Sequence, residues 1–271
     1  MIVLIVTIVL LFLCALYLFL IRCRRNEKAF GALRGWSYAH RGFHGDGVPE
    51  NSMEAFRLAK EFGYGVELDV HLMADGNLAV IHDASLKRTA GTDILIEDMV
   101  PQQLSDYNLE GTAETIPQFR QVLDLFNGEV PMIVELKAEK GNHAALCDAV
   151  CKMLDTYTGA YCIESFDPRC ILWLRTHRPD VIRGQLARNF FASAELKLPW
   201  YLKFVLTCHM INFLTMPDFI AYRYSDRKFF GNALCRKVWG AVGVTWTLRS
   251  KQDYDAAVAD GWIPIFEYFR P

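Results

Sequence analysis

The chain has 271 residues, of which 52% are apolar and 22% are charged, and its formal net charge is −2 at pH 7. A protein with this charge balance has no basic surface of the kind that binds nucleic acid, so nucleic acid is excluded as a partner. The eight cysteines show neither zinc-type spacing nor a compact disulfide framework. This favours reduced packing residues, although their even number leaves an oxidising compartment open.

The N-terminal segment is the first predicted element. Residues 2–21 contain no charged side chain, and an apolar helix of that length reaches across the hydrocarbon core of a bilayer. A cleaved signal peptide is the alternative, but no Lys or Arg precedes the apolar run, and the run is long for such a peptide. We therefore predict an uncleaved transmembrane anchor over residues 1–22.

Basic residues mark the end of this anchor. Arg22, Arg24 and Arg25 follow the apolar run, and the positive-inside rule places such an end in the cytoplasm. This predicts a single-pass membrane protein with a cytoplasmic folded domain and a juxtamembrane linker over residues 23–35. The arginines would also attract anionic lipid, so the lipid bilayer is a predicted partner.

The first motif of the folded domain ends an apolar and aromatic stretch at residues 36–39. It reads His40-Arg41-Gly42. The glycine lets the backbone turn sharply or approach a ligand, and the planar guanidinium of Arg41 matches a phosphate. A helical pattern over residues 53–60 follows. Asn51 or Ser52 can cap this helix, and the free N–H groups at its start would favour an anion nearby.

The next predicted strand alternates apolar and charged residues. Over residues 66–70 this alternation would point Glu67 and Asp69 to one face of the strand. Two carboxylates on one face repel each other unless a cation lies between them, and oxygen ligands suit Mg²⁺ or Ca²⁺. A strand with one solvated face explains the same pattern, but the neighbouring histidines and arginine favour a metal site.

A hairpin turn is predicted after this strand, with Asp75 and Gly76 at its centre. If these two residues form the whole loop, the strand at residues 78–82 returns antiparallel and His82 lies opposite Asp69. A lone histidine is more often structural than catalytic. Two histidines beside paired carboxylates instead indicate groups for proton transfer.

Eight strand-like runs separated by helical patterns predict an α/β fold, a parallel (β/α)₈ TIM barrel with the 78–82 strand as an added hairpin. The runs are 37–42, 65–70, 131–137, 160–166, 182–187, 218–224, 243–248 and 263–267. About 240 residues remain after the N-terminal segment, the usual size of one such barrel. We predict this catalytic domain over residues 36–271, with the acidic residues and His40 at the carboxyl ends of strands.

The order of these motifs resembles the glycerophosphodiester phosphodiesterase family. The shared motifs are His40-Arg41-Gly42, Pro49-Glu50-Asn51-Ser52, Glu67-Leu68-Asp69-Val70, Asp75-Gly76, Ile81-His82-Asp83 and Glu135-Leu136-Lys137. The resemblance extends over residues 36–269. It implies metal-dependent hydrolysis of a phosphodiester that bears a glycerol moiety.

The resemblance also implies which residues bind the cofactor and the phosphate. One divalent cation, Mg²⁺ or Ca²⁺, would be held by Glu67, Asp69 and Glu135. Arg41 and Lys137 would bind the phosphate oxygens. A Glu–Lys pair at a strand end is weak evidence by itself, because such pairs are common in solvent, but here it completes an ordered set.

Proton transfer is assigned to the two histidines. We expect His82 to be the acid for the leaving group and His40 to be the base. The nucleophile is either water or the glycerol hydroxyl of the substrate. Trp246, in a segment that matches the family's Trp-Thr, would pack against the glycerol or head group, although core packing explains this residue equally well.

Two positions depart from the family pattern. His44 is an additional histidine in the loop after the first motif, and we expect it to face solvent. Glu267 stands near the place of the family's last aspartate, and its role, like that of Glu50, is left open.

An apolar, aromatic-rich stretch covers residues 198–216. Lys203, His209 and Asn212 interrupt it, so a second membrane span is not expected. One explanation is a barrel helix packed on the sheet. The other is an apolar lip that touches the bilayer and guides acyl chains toward the barrel mouth.

The predicted substrate is a soluble glycerophosphodiester or a lysophospholipid, and the anchor favours a substrate derived from the membrane. Two other functions remain open. A phospholipase C-like lyase would form a cyclic phosphate, and a membrane-tethered lipid-binding protein would have lost catalysis.

Overall fold

The structure is a computed structural model that describes residues 1–26, 30–192 and 197–271. Its strands are β1 (Tyr38–His40), β2 (Gly65–Leu72), β3 (Leu78–Val80), β4 (Met132–Leu136), β5 (Tyr161–Ser165), β6 (Arg183–Ala187), β7 (Phe219–Arg223), β8 (Val242–Leu248) and β9 (Ile263–Phe266). Its α-helices are α1 (Ile2–Leu20), α2 (Met53–Glu61), α3 (Lys87–Ala90), α4 (Phe119–Phe126), α5 (His143–Leu154), α6 (Pro168–His177), α7 (Trp200–Thr207), α8 (Asn212–Thr215), α9 (Phe230–Lys237) and α10 (Lys251–Ala259).

Eight parallel strands close into a barrel, which confirms the predicted (β/α)₈ fold. β1 pairs in parallel with both β2 and β9, so the parallel strands form a closed ring. β3 lies outside this ring and pairs antiparallel with β2. Each predicted strand run coincides with an observed strand to within two residues at either end. Helices between the strands form the outer layer of the barrel.

The hairpin of β2 and β3 has a different register from the predicted one. The main-chain N–H of Ile81 donates to the carbonyl of Asp69 at 3.1 Å, so Ile81, and not His82, is the partner of Asp69. The loop contains three residues instead of two, and Gly76 supplies a left-handed conformation within it (φ +88°). The predicted pairing was therefore wrong by one residue.

The barrel interior is apolar near the amino ends of the strands and polar near their carboxyl ends. Inward-facing side chains recur at every second position of a strand, so each strand contributes to both layers. Four strands show the change most clearly, in the pairs Tyr38 and His40, Ile133 and Glu135, Cys162 and Glu164, and Ile265 and Glu267. Phe30 closes the apolar end, where its ring lies 5.3 Å from that of Phe219. Polar side chains are therefore concentrated at the carboxyl edge.

All eight cysteines are free thiols, and all except Cys14 are buried. Cys147 and Cys151 lie on α5 without forming a disulfide. Burial raises the pKa of Cys151 to about 11, which keeps this thiol protonated and unreactive near neutral pH. The cysteines therefore act as small packing residues.

The last turns of α1 pack against the barrel. The first sixteen residues of the chain are largely exposed, and the helix is long and apolar enough to cross a membrane. Near its end, the ring of Tyr17 lies 5.6 Å from that of Phe230, and Trp239 donates its indole N–H to the carbonyl of Leu18 at 3.0 Å. Ile21 is fully buried. The end of the helix is thus part of the folded domain.

Arg24 fixes the segment that follows α1. Its Nε and Nη2 donate to the two carboxylate oxygens of Asp218 at 2.5 and 2.6 Å, and it also donates to the carbonyls of Pro179 and Val181. The carboxylate of Asp218 is 1% exposed and accepts the main-chain N–H of Arg183 at 3.0 Å. A bidentate pair of this kind holds the chain firmly to the amino edge of β6 and β7.

Replacing Arg24 with alanine is expected to lower the free energy of unfolding by about 2–4 kcal/mol, because it leaves a buried carboxylate without its cation. Urea unfolding of the full chain in detergent micelles measures this change. The matched control is Arg22→Ala, since Arg22 is exposed and lies 5.7 Å from the ring of Trp239, where the loss is at most about 1 kcal/mol. Equal losses for the two variants would show that the Asp218 pair is unimportant.

Candidate active site

The carboxyl edge of the barrel brings the predicted site residues together. The pairing of β1 with β2 places His40 beside Glu67, and the pairing of β2 with β4 places Asp69 beside Glu135. All of these side chains point inward because they occupy alternate positions of parallel strands that end at one edge. Residues far apart in the sequence thereby form one polar cavity.

The three predicted metal ligands form a compact acidic cluster. Oxygen atoms of Glu67, Asp69 and Glu135 lie within 4.8 Å of one another, and all three residues are buried. Burial, reinforced by the neighbouring carboxylates, raises the pKa of Glu67 well above its usual value and that of Glu135 to about 7. A cation beside these oxygens would offset the mutual repulsion of the carboxylates, and carboxylate oxygens are the ligands that Mg²⁺ and Ca²⁺ prefer. These residues therefore fit the implied divalent cation.

Lys137 neutralises part of this acidic cluster. Its Nζ lies 3.0 Å from Asp69 Oδ1 and 2.7 Å from Glu135 Oε1. Burial alone would raise the pKa of Asp69, but the charges of Lys137, His82 and Arg41 lower it well below its usual value. The lysine predicted for phosphate binding thus contacts two of the predicted metal ligands directly.

Glu164 is a fourth acidic residue that was not predicted as part of the site. It lies beside Glu135 across the β4–β5 pair, and it is 1% exposed. Its Oε2 has no hydrogen-bond partner among the described residues. Burial and the charge of Glu135 raise the pKa of Glu164 well above its usual value. Alternation along β5 places Glu164 on the same inward face as Cys162, and this spacing was the sequence signal that could have indicated it.

Arg41 is held at the rim by a carboxylate whose role the sequence left open. Its Nη1 donates to both oxygens of Glu50, at 2.9 and 3.0 Å, and its Nε lies 3.4 Å from Asp69 Oδ2. Glu50 also accepts a hydrogen bond of 2.6 Å from Arg88. Glu50 therefore positions two guanidinium groups beside the acidic cluster, and one of them belongs to Arg88, a residue that the sequence motifs did not indicate.

His82 is oriented by its neighbour in the chain. Its Nδ1 lies 2.6 Å from Asp83 Oδ1, and the other oxygen of Asp83 accepts a hydrogen bond from Arg88 Nε. Burial, together with the charges of Lys137 and Arg41, lowers the pKa of His82 to about 4. With Nδ1 occupied, Nε2 is the ring nitrogen left for exchange of a proton with a ligand.

His40 has a similar arrangement built from distant parts of the chain. Its Nδ1 is hydrogen-bonded to Glu267 Oε2, and Glu267 Oε1 accepts a hydrogen bond of 2.6 Å from Arg249. The Nε2 of His40 lies 3.9 Å from Glu67 Oε2. Burial lowers the pKa of His40, and the hydrogen bond to Glu267 partly opposes that change. Each of the two histidines is thus held by a carboxylate that an arginine fixes in turn.

His44 does not face solvent, so that expectation was wrong. Its side chain is only 6% exposed, its Nε2 lies 3.5 Å from Glu267 Oε2, and its ring lies 5.0 Å from that of Tyr268. Burial would raise the pKa of Glu267, but the imidazoles of His40 and His44 and the charge of Arg249 lower it below its usual value. Packing on Tyr268 and attraction to this carboxylate bury the histidine.

Trp246 lies on β8 at the same edge. Its ring meets that of Phe166 edge-to-face at 5.6 Å. Its indole N–H is buried and has no hydrogen-bond partner in the part of the chain that the structure describes. The contact of Trp246 with the glycerol or head group of a substrate therefore stays a prediction.

Known proteins resemble this chain in sequence and in fold. Residues 40–210 match the sequence model of the glycerophosphoryl diester phosphodiesterase family. A glycerophosphodiester phosphodiesterase of Caldanaerobacter subterraneus subsp. tengcongensis is 34% identical over 239 residues, which cover 82% of this chain and 89% of that protein. The protein named lysophospholipase D GDPD1 of Rattus norvegicus is 31% identical over 132 residues, which cover 44% of this chain and 40% of that protein.

A solved structure has a similar barrel. A phosphodiesterase from Oleispira antarctica, in complex with the product sn-glycerol-3-phosphate, superposes with a TM-score of 0.72 at 20% identity, covering 88% of this chain and 94% of that one. At this identity the likeness shows the fold alone. The sequence relatives carry the names of phosphoric diester hydrolases. From the match over residues 40–210 and the similarity along most of its length, the chain belongs to the glycerophosphoryl diester phosphodiesterase family of enzymes.

Proposed function

We propose that this enzyme is a metal-dependent phosphodiesterase that hydrolyses glycerophosphodiesters or lysophospholipids. The products would be an alcohol head group and either glycerol phosphate or lysophosphatidic acid. The strongest support is the meeting of two carboxylate-held histidines with a buried acidic cluster at one edge of the barrel. Those groups provide proton transfer and binding of a divalent cation in one cavity.

The binding groups divide between the cation and the phosphate. Glu67, Asp69 and Glu135 would hold one Mg²⁺ or Ca²⁺, which when bound polarises a phosphoryl oxygen and offsets charge in the transition state. Arg41 binds a phosphate oxygen through the N–H groups that Glu50 leaves free. The ammonium of Lys137, which contacts Asp69 and Glu135, would also attract the phosphate.

The two histidines move the protons. His40 Nε2 takes the proton of the nucleophile, water or the glycerol hydroxyl, as the new oxygen–phosphorus bond forms. Attack by the glycerol hydroxyl gives a cyclic phosphate, which water then opens to the final product. His82 Nε2 gives a proton to the leaving oxygen as the old bond breaks. The pKa of His82 is low in the free enzyme, and the negative charge of a bound phosphodiester raises it toward the range that an acid catalyst needs.

The N-terminal helix supports a substrate that comes from a membrane. We propose that α1 is an uncleaved anchor, because Ile21 and the Arg24–Asp218 pair make the end of this segment part of the fold. The arginines after α1 favour a cytoplasmic barrel. The similarity to a protein named lysophospholipase D supports a lysophospholipid as one substrate class.

A product assay tests this proposal directly. The full chain, purified in detergent, is incubated with glycerophosphocholine or lysophosphatidylcholine in Mg²⁺, Ca²⁺ or EDTA, and the products are identified by mass. We expect glycerol phosphate or lysophosphatidic acid with one of the cations and no turnover in EDTA. A cyclic phosphate as the final product would indicate a lyase. Substrate binding without turnover under every condition would indicate a lipid-binding protein.

A further inference from the structure

The contacts of α1 define the direction in which this helix leaves the barrel. Tyr17 contacts Phe230, which begins α9 just after the carboxyl end of β7. Further along, the carbonyl of Ile21 accepts a hydrogen bond from Cys235 in the middle of α9. Arg24 then pairs with Asp218, which precedes β7 at the amino edge. The chain therefore runs from the carboxyl edge of the barrel to its amino edge.

The distances agree with this direction. From Tyr17 to Arg24, four helical residues and three residues that are at most fully extended reach about 16 Å, which is the length of a five-residue strand. The part of α1 that precedes Tyr17 therefore projects beyond the carboxyl edge. That is the edge at which the histidines and the acidic cluster lie.

Exposed aromatic side chains lie on this same edge. Among the described residues outside α1, the exposed aromatic side chains are Phe191, Trp200, Tyr201, Phe204, Phe230 and Tyr268. Each comes after the carboxyl end of a strand and before the chain returns to the amino edge. By contrast, the exposed Val238 and Val258 lie at the ends of α9 and α10, near the amino edge.

The helix α7 is the largest part of this aromatic surface and is continuous with α1. Trp200 is 73% exposed and Phe204 is 47% exposed. At the other end of α7, Thr207 accepts the main-chain N–H of Phe190 at 3.0 Å, and the hydroxyl of Tyr17 donates to the carbonyl of the next residue at 3.2 Å. Phe213, in contrast, is not free, because its ring packs 5.5 Å from that of Phe19 in α1.

We infer that the carboxyl edge of the barrel faces the bilayer that α1 enters, and that Trp200, Tyr201 and Phe204 of α7 dock into its interfacial region. Aromatic side chains favour that region, since their rings are apolar while their N–H or O–H groups stay hydrated. Two independent observations, the direction of α1 and the position of the aromatic surface, place the same edge at the membrane. In this orientation the active-site cavity opens toward the bilayer, so the substrate class of the proposed phosphodiesterase is a lipid presented by the membrane. This statement about the substrate rests on the proposed function.

Quenching of tryptophan fluorescence tests the orientation without any catalysis. The full chain is reconstituted in phosphatidylcholine vesicles with or without lipid brominated on its acyl chains near the head group. We expect Trp200→Phe to remove a large part of the quenched emission, whereas the control Trp173→Phe, on α6, removes almost none. Equal quenching of the wild-type chain and Trp200→Phe would overturn the inference, and it is also the result expected if a second copy of the chain covered α7.

Activity on two substrates provides the second test. We expect the triple variant Trp200→Ser, Tyr201→Ser, Phe204→Ser to lose at least tenfold in kcat/KM on vesicle-borne lysophosphatidylcholine and less than twofold on glycerophosphocholine. The control pair Val238→Ser, Val258→Ser should change neither value by more than twofold. Equal losses on both substrates, or a loss in the control pair as large as in the triple variant, would contradict the docking role. If the wild-type chain cleaves neither substrate, the proposed function fails, and the quenching result still decides the orientation.

Discussion

Replacing His82 with alanine is expected to lower the turnover of glycerophosphocholine at least about a hundredfold, which is the usual contribution of a positioned acid or base. The substitution removes the imidazole and leaves the Asp83–Arg88 pair in place. The same loss is expected for His40→Ala, since Glu267 cannot replace an imidazole that it only orients. Initial rates at saturating substrate and cation measure both variants.

The control for these variants is His143→Ala. His143 begins α5, where its Nδ1 lies 3.1 Å from the carbonyl oxygen of Gly141. The variant therefore removes an imidazole that belongs to neither the acidic cluster nor the two histidine–carboxylate pairs. It should keep turnover within about twofold, in line with a surface substitution. Melting temperatures within a few degrees of the wild type would show that the active-site variants remain folded. Near-normal turnover of either variant would eliminate the proposed role of that histidine.

The barrel and most of its inward residues were predictable because they follow from a local rule. Alternation in a strand assigns each residue to a face, and parallel strands of a closed sheet end at one edge. Glu67 and Asp69 therefore had to share a face of β2. Glu135 on the neighbouring strand β4 lies level with Asp69 and faces the same way. None of this depends on knowing any loop.

The groups that orient the histidines were harder to predict because they come from loops or from distant strands. His40 and Glu267 are separated by 227 positions in the sequence. Arg88 lies in a short helix after the hairpin, and its contact with Glu50 depends on the path of that loop. The same limit explains the wrong register of the hairpin, since one extra loop residue shifts every pair. The alternation of residues in a strand also predicts that Glu164 faces inward beside Glu135, once the register of β5 is known.

Replacing Glu135 with glutamine is expected to change activity and stability in opposite directions. Turnover should fall at least about a hundredfold because one of the three proposed oxygen ligands loses its charge. Without a cation, however, the wild-type cluster is strained by repulsion between buried carboxylates. Removal of one charge relieves that repulsion, so the variant should be more stable than the wild type in EDTA.

The sign of the pH dependence follows from the raised pKa. Glu135 titrates at about 7 in the folded chain and near its ordinary value when unfolded, so its contribution to stability is present below about pH 4.5 and is lost as the pH rises through 7. At pH 8 in EDTA the loss is on the order of 1–3 kcal/mol, and Glu135→Gln should melt higher than the wild type by a few degrees, about 2–4 °C per kcal/mol. At pH 4, below both pKa values, the two melting temperatures should nearly coincide.

A divalent cation should reverse this order. Mg²⁺ or Ca²⁺ binds the folded wild-type cluster and raises its melting temperature, whereas the glutamine variant gains much less. The control Glu139→Gln makes the same chemical change on an exposed side chain of the same segment, and it should behave as the wild type throughout. Equal protection of wild type and Glu135→Gln by the cation would show that Glu135 is not a ligand. Because the carboxylates of this cluster repel one another, removing the charge of a proposed ligand should stabilise the cation-free enzyme and at the same time weaken its stabilisation by the cation.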